Sequence, residues 1–149
     1  MKLAEALQER ADLNRRIQQL RTRLLNNALV QEGEQPAEDP VSLMSEYDAA
    51  MTALEEITAK INLANCKTAV DGKSLTELIA RRDALTQRVK TYRDLAQAAS
   101  QLCHRATRSE IKILSAIDVK ELQKRADRTA KELRELDNTI QQANWTADL

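Results

Sequence analysis

Apolar residues return at alternating steps of three and four through four separate stretches of this 149-residue chain. That spacing lays one apolar stripe along an α-helix, and sustained over several turns it makes a heptad seam. The first seam is Leu3, Ala6, Arg10, Leu13, Ile17, Leu20 and Leu24, with Arg10 its one polar member. The second runs Leu43, Tyr47, Ala50, Leu54, Ile57, Ile61 and Ala64, flanked by Met44 and Met51. The third, Leu75, Leu78, Arg82, Leu85, Val89, Tyr92, Ala96, Ala99 and Cys103, is the most regular, and again one Arg interrupts it. The fourth is Leu122, Ala126, Thr129, Leu133, Leu136, Ile140 and Ala143, with Trp145 just beyond.

Local signals punctuate the seams. Gln31 to Glu38 has no apolar period and holds Gly33 and Pro36, which marks a loop. Asp39-Pro40 then restarts a helix, because Asp accepts an orphan N–H and Pro at the first helical position loses no bond. Asp71-Gly72 predicts a tight turn, and Ser74 with Glu77 a capping box. Asp118 with Glu121 supplies a second box. Between the third and fourth seams, Glu110 to Ile117 is β-branched and partly alternating, which predicts a short strand.

The chain therefore reads as a single all-α domain over residues 1–149, with helices at about 2–30, 40–67, 74–103 and 118–144 and a β segment at about 110–117. Two Gly and two Pro fit this reading, because ordinary chains carry roughly 12% of the two together and turn-rich β folds need them. Helices of that length reach roughly 40 Å at 1.5 Å per residue. Short connections make antiparallel neighbours, so an elongated antiparallel bundle of coiled-coil hairpins is expected. Four such seams offer more apolar surface than one copy is expected to shelter, and a lone strand needs a ladder partner. A homo-oligomer meeting through Ile111, Ile113, Leu114 and Ile117 satisfies both demands.

Several kinds of chemistry find no constellation. Val70-Asp71-Gly72-Lys73-Ser74 resembles the end of a phosphate loop, but Lys67 stands where that loop needs its first Gly. Cys66 and Cys103 are the two thiols and His104 the sole imidazole, too few for a metal centre; along a helical hairpin the thiols lie far apart. No Gly-framed Ser or Cys accompanies His104, and Glu55, Glu56, Asp83 and Glu132 lie on seam flanks where carboxylates are solvated. The expectation is a protein that is not an enzyme, with no cofactor, metal or small-molecule substrate. Charged residues in the first ten positions break any secretory h-region, and no apolar run reaches the ~18 residues that span hydrocarbon. A cytoplasmic location follows as an expectation.

The 23 acidic and 23 basic residues cancel overall but are unevenly placed. Between Arg23 and Lys60 there are eight acidic residues and no basic one; residues 80–134 hold fourteen basic against seven acidic. The acidic stretch can steer assembly by meeting the basic one. Alternatively Arg81, Arg82, Arg105, Arg108, Lys124, Arg125 and Arg128 form a face for an anion or RNA, although Tyr92 lies in a seam and no stacking platform accompanies them.

Short pieces outside the seam pattern carry a family likeness: Lys2-Leu3-Ala4-Glu5-Ala6-Leu7, Asp12-Leu13-Asn14, Asp71-Gly72 with Leu75-Thr76, Ala80-Arg81-Arg82-Asp83, Arg108-Ser109-Glu110-Ile111-Lys112, Arg134-Glu135-Leu136-Asp137 and Ala143-Asn144-Trp145. Over nearly its whole length the chain resembles the septicolysin-like family of small bacterial proteins. The resemblance implies an α-helical bacterial protein with no catalytic residues to carry over, and the family name implies a membrane-active, thiol-dependent cytolysin. Three expectations result: a non-enzymatic, self-associating helical protein first, a membrane-active protein second, and an RNA or polyanion binder third.

Overall fold

The computed structural model describes residues 1–101 and 111–149. Among them four helices form, α1 (Leu3–Asn26), α2 (Pro40–Lys67), α3 (Leu75–Ser100) and α4 (Val119–Thr146), with a two-stranded antiparallel sheet of β1 (Ala69–Val70) and β2 (Lys73–Ser74). The fold is all-α with one short β element. It divides into two compact units, one of Met1–Ser74 with Ala143–Leu149, the other of Leu75–Gln142.

In the first unit α1 and α2 lie antiparallel. Arg23 pairs with Glu38, near the start of α2, while Arg16, two turns earlier, reaches Glu46 two turns later at 3.5 Å. Between the helices Ile17, Leu20, Leu43 and Ala50 form a buried cluster, with Leu24, Tyr47 and Leu54 packed against it. Each fully buried Leu of this kind contributes about 1.5–3 kcal/mol relative to exposure. The Asp39 carboxylate accepts from Val41 N at 3.2 Å and Ser42 N at 3.3 Å, with Pro40 opening the helix as its chemistry suggests. Between β1 and β2, Asp71 and Gly72 have φ of 51° and 80°, the paired positive values of a two-residue hairpin turn.

The two chain ends close this unit. Leu3 N donates to Ala147 O and Leu149 N to Met1 O, both at 3.0 Å, while Lys2 Nζ reaches Asp148 at 2.8 Å. Lys2 N also donates to the Glu5 carboxylate at 2.7 Å, satisfying a donor at the α1 entry. Leu3 and Ala6 are consequently fully buried at the very start of the chain.

In the second unit α3 and α4 run antiparallel: Arg81 pairs with Glu132, and the Arg125 guanidinium lies 5.0 Å from the Tyr92 ring centroid. Asp118 caps α4 by accepting from Glu121 N at 3.2 Å. Thr129, a polar seam member, places its hydroxyl on Arg125 O at 2.9 Å, which satisfies it without breaking the helix.

Two expectations need correcting. Helix α1 ends at Asn26 rather than near residue 30, because Asn27 stops it: its amide donates to Arg23 O at 2.9 Å and its Oδ1 accepts from Glu38 N at 3.0 Å. The β element lies at residues 69–74, not 110–117; residues 111–117 form no strand. Glu110, like Cys103 at the expected end of the third helix, lies outside the described residues. Of the buried apolar residues described, Ala130 alone lies off the four stripes, while Leu13, Leu24, Tyr47, Leu54, Tyr92, Leu133 and Leu136 on them are half-buried.

Candidate association surface and basic face

The segment between α3 and α4 gains its character from what the seams leave out. Ile111, Ile113, Leu114 and Ile117 are 79%, 43%, 76% and 39% exposed, although each is a residue type that ordinarily enters a core. The segment folds locally about Ser115, whose hydroxyl donates to Ile117 O at 2.7 Å and accepts from Ile117 N at 3.5 Å. No hydrogen bond engages the backbone of Ile113 or Leu114 among the described residues. Ile117 continues into a cleft of about 310 Å³ with Leu122 at its floor and Asp118, Glu121, Arg125 and Arg128 around it. Apolar side chains, available backbone groups and a charged rim thus occur together, an arrangement suited to binding another chain.

The basic face is more fully occupied. Arg81 is paired with Glu132, and Arg82 holds Asp83 through Nε at 3.1 Å and Nη2 at 2.9 Å. Lys124 reaches Glu121 at 3.2 Å, and Arg125 lies over Tyr92. Arg128 makes no ion pair among the described residues. Arg105 and Arg108 lie outside the described residues, as does His104. Cys66 is exposed. No group of three or more His, Cys, Asp or Glu able to hold a metal occurs among the described residues.

Shifted ionisation belongs to the first unit's polar ties. The Arg23 guanidinium holds the Glu38 carboxyl below its ordinary value by hydrogen bonding, and Glu38 raises Arg23 in return. Lys2 does the same to Asp148. These contacts escaped sequence reading: they join residues far apart in the chain through side chains that a helical period assigns to solvent.

A model for a family of unknown function, DUF6847, matches residues 10–149. The chain belongs to the DUF6847 family. A solved structure with the same fold, described as a functionally unknown conserved protein from Corynebacterium diphtheriae, is similar to this DUF6847 chain at 40% sequence identity. Its TM-score is 0.94, and the match covers 100% of this chain and 98% of that one. No curated protein matches the sequence. Among the described residues, no helix is long and apolar enough to cross a membrane.

Proposed function

We propose that this DUF6847 chain is a non-enzymatic helical protein that self-associates, and that copies meet through Ile111, Ile113, Leu114 and Ile117. The observation that carries the reading is the contrast in burial: the buried apolar residues described fall almost wholly on the seams, whereas these four aliphatic side chains remain at the surface. Covering an exposed aliphatic cluster releases its hydration shell and contributes about 25 cal/mol per Å² removed from water. The backbone of Ile113 and Leu114 adds hydrogen-bonding groups that a second copy can pair.

Polyanion binding is less favoured on a specific ground: the charges of Arg81, Arg82 and Lys124 already have carboxylate partners. The membrane activity implied by the septicolysin-like resemblance is a separate reading, checked by leakage from liposomes. For the leading proposal the test is mass by light scattering at micromolar concentration, on the natural chain and on an Ile111→Asp, Leu114→Asp variant. The natural chain is expected well above its single-chain 16.8 kDa, and the variant at that value. A natural chain measured at one copy's mass refutes the proposal.

A further inference from the structure

The chain's single Trp stands in the first unit, on the last turn of α4, and is 64% exposed. It lines a cleft of about 410 Å³ with Ala4, Glu5, Gln8, Glu9 and Asp12. Ala4, Gln8 and Asp12 are four residues apart and Glu5 and Glu9 repeat that step, so one face of α1 forms the wall opposite the indole. The volume falls within the range of small-ligand clefts, roughly 300–1,000 Å³.

The three carboxylates here are not equivalent. Glu5 accepts from Lys2 N at 2.7 Å, and Asp12 is taken by Arg15 and by Gln8 Nε2 at 3.2 Å. Glu9 has no hydrogen bond or ion pair among the described residues, and neither has the indole N–H of Trp145. An unengaged carboxylate therefore shares a cleft with an indole whose N–H is unengaged, and the lining itself holds no Lys or Arg.

We propose that this cleft binds a cationic side chain, arginine or lysine, of a peptide partner, seated between the Trp145 indole and the Glu9 carboxylate. Charge complementarity selects the ligand: three carboxylates repel an anion, and a cation is attracted both to them and to the face of an indole within about 6 Å of its centroid. Arginine is the better fit, because its planar guanidinium stacks on a ring while its N–H fork reaches a carboxylate. The cleft is open to solvent, so a single side chain binds there weakly. All residues of the site belong to the first unit, so the proposal stands independently of association through Ile111–Ile117.

As the chain's sole Trp, Trp145 reports on the cleft directly. The full-length chain is titrated with acetylated, amidated tetra-arginine at low salt, with tetra-glutamine as control, following Trp145 emission. A saturable change with tetra-arginine alone is expected, and Glu9→Gln, an exposed position with no partner to lose, weakens it about threefold or more. Calorimetry on Trp145→Ala is expected to show a comparable loss. An emission unaffected by tetra-arginine overturns the proposal, as does equal affinity in the natural chain and Glu9→Gln, or full affinity in Trp145→Ala. Emission that changes with protein concentration in the absence of peptide assigns the cleft to a second copy, which also overturns it.

Discussion

Two connections between helices in this chain solve the same problem differently. The one from α1 to α2 carries Leu29, 91% exposed, and Val30, yet it is tied at both ends: Asn27 bonds Arg23 O and Glu38 N, and Arg23 grips the Glu38 carboxylate. Its exposed aliphatics stand beside Glu32 and Glu34 in a loop that also needs the positive φ of Gly33. The segment entering α4 carries four large aliphatics in seven residues, with Ser115 as its local fastening. Polar ties hold the shape of the first connection in water, whereas the second presents four large aliphatics to solvent around one local tie. The difference lies in the concentration of aliphatic residues and in the polar bonds around them, not in the presence of exposed aliphatics as such.

The largest effect belongs to neither connection but to the core that holds the first in place. Leu20, 1% exposed, lies at the heart of the α1–α2 cluster, and Leu20→Ala is expected to lower stability by about 3 kcal/mol in chemical denaturation, within the usual 2–5 for such a cavity. A loss under 1 kcal/mol would mean that α1 and α2 do not share that cluster. Gly72→Ala is expected to cost about 1 kcal/mol, since a side chain at φ of +80° is strained even though the space around it is open. Asn27→Ala should cost about 1 kcal/mol, the scale of a lost cap, and should loosen the α1–α2 loop in limited proteolysis. If proteolysis there stays as slow as in the natural chain, the Asn27 tie is not what orders the loop. Ile111→Asp with Leu114→Asp should alter stability of the single chain by less than about 0.5 kcal/mol, because both positions are already solvated.

The smallest effect concerns acid. Glu38 and Asp148 have carboxyls held below their ordinary values in the folded chain, so the stabilisation they contribute is present above the unfolded carboxylate range and fades as pH falls through the folded values. Exposed pairs such as these contribute modestly. The Lys2–Asp148 tie should therefore loosen only in acid below the ordinary carboxylate range, seen as a fall in protection of the Leu3 and Leu149 amides relative to their intrinsic exchange, and Asp148→Asn should remove that fall at the chain ends.

The helical architecture was legible because burial follows the seam residues closely, and the caps at Asp39 and Asp118 mark the starts of α2 and α4 in the sequence itself. The Asp71-Gly72 turn was equally visible, but its strands are two residues long, too short for an alternation to be recognised. Over 111–117 β-branched residues alternate yet form no strand, because propensity alone does not make a ladder. Ala28-Leu29-Val30 extended the apolar pattern beyond the true end of α1, because the Asn27 bonds that end the helix depend on Glu38 eleven residues away. The terminal clasp and the Trp145 cleft were out of reach for the same reason: they join residues near opposite ends of the chain, and no local period encodes that meeting.

The most direct test is amide hydrogen exchange followed across protein concentration. If copies meet through the segment before α4 while each chain shelters its own seams, protection of the Lys112, Ile113 and Leu114 amides rises with concentration, and the amides around Ile17, Leu20 and Leu43 hold constant. Seam amides that lose protection on dilution, with the 112–114 amides indifferent to it, would contradict the account.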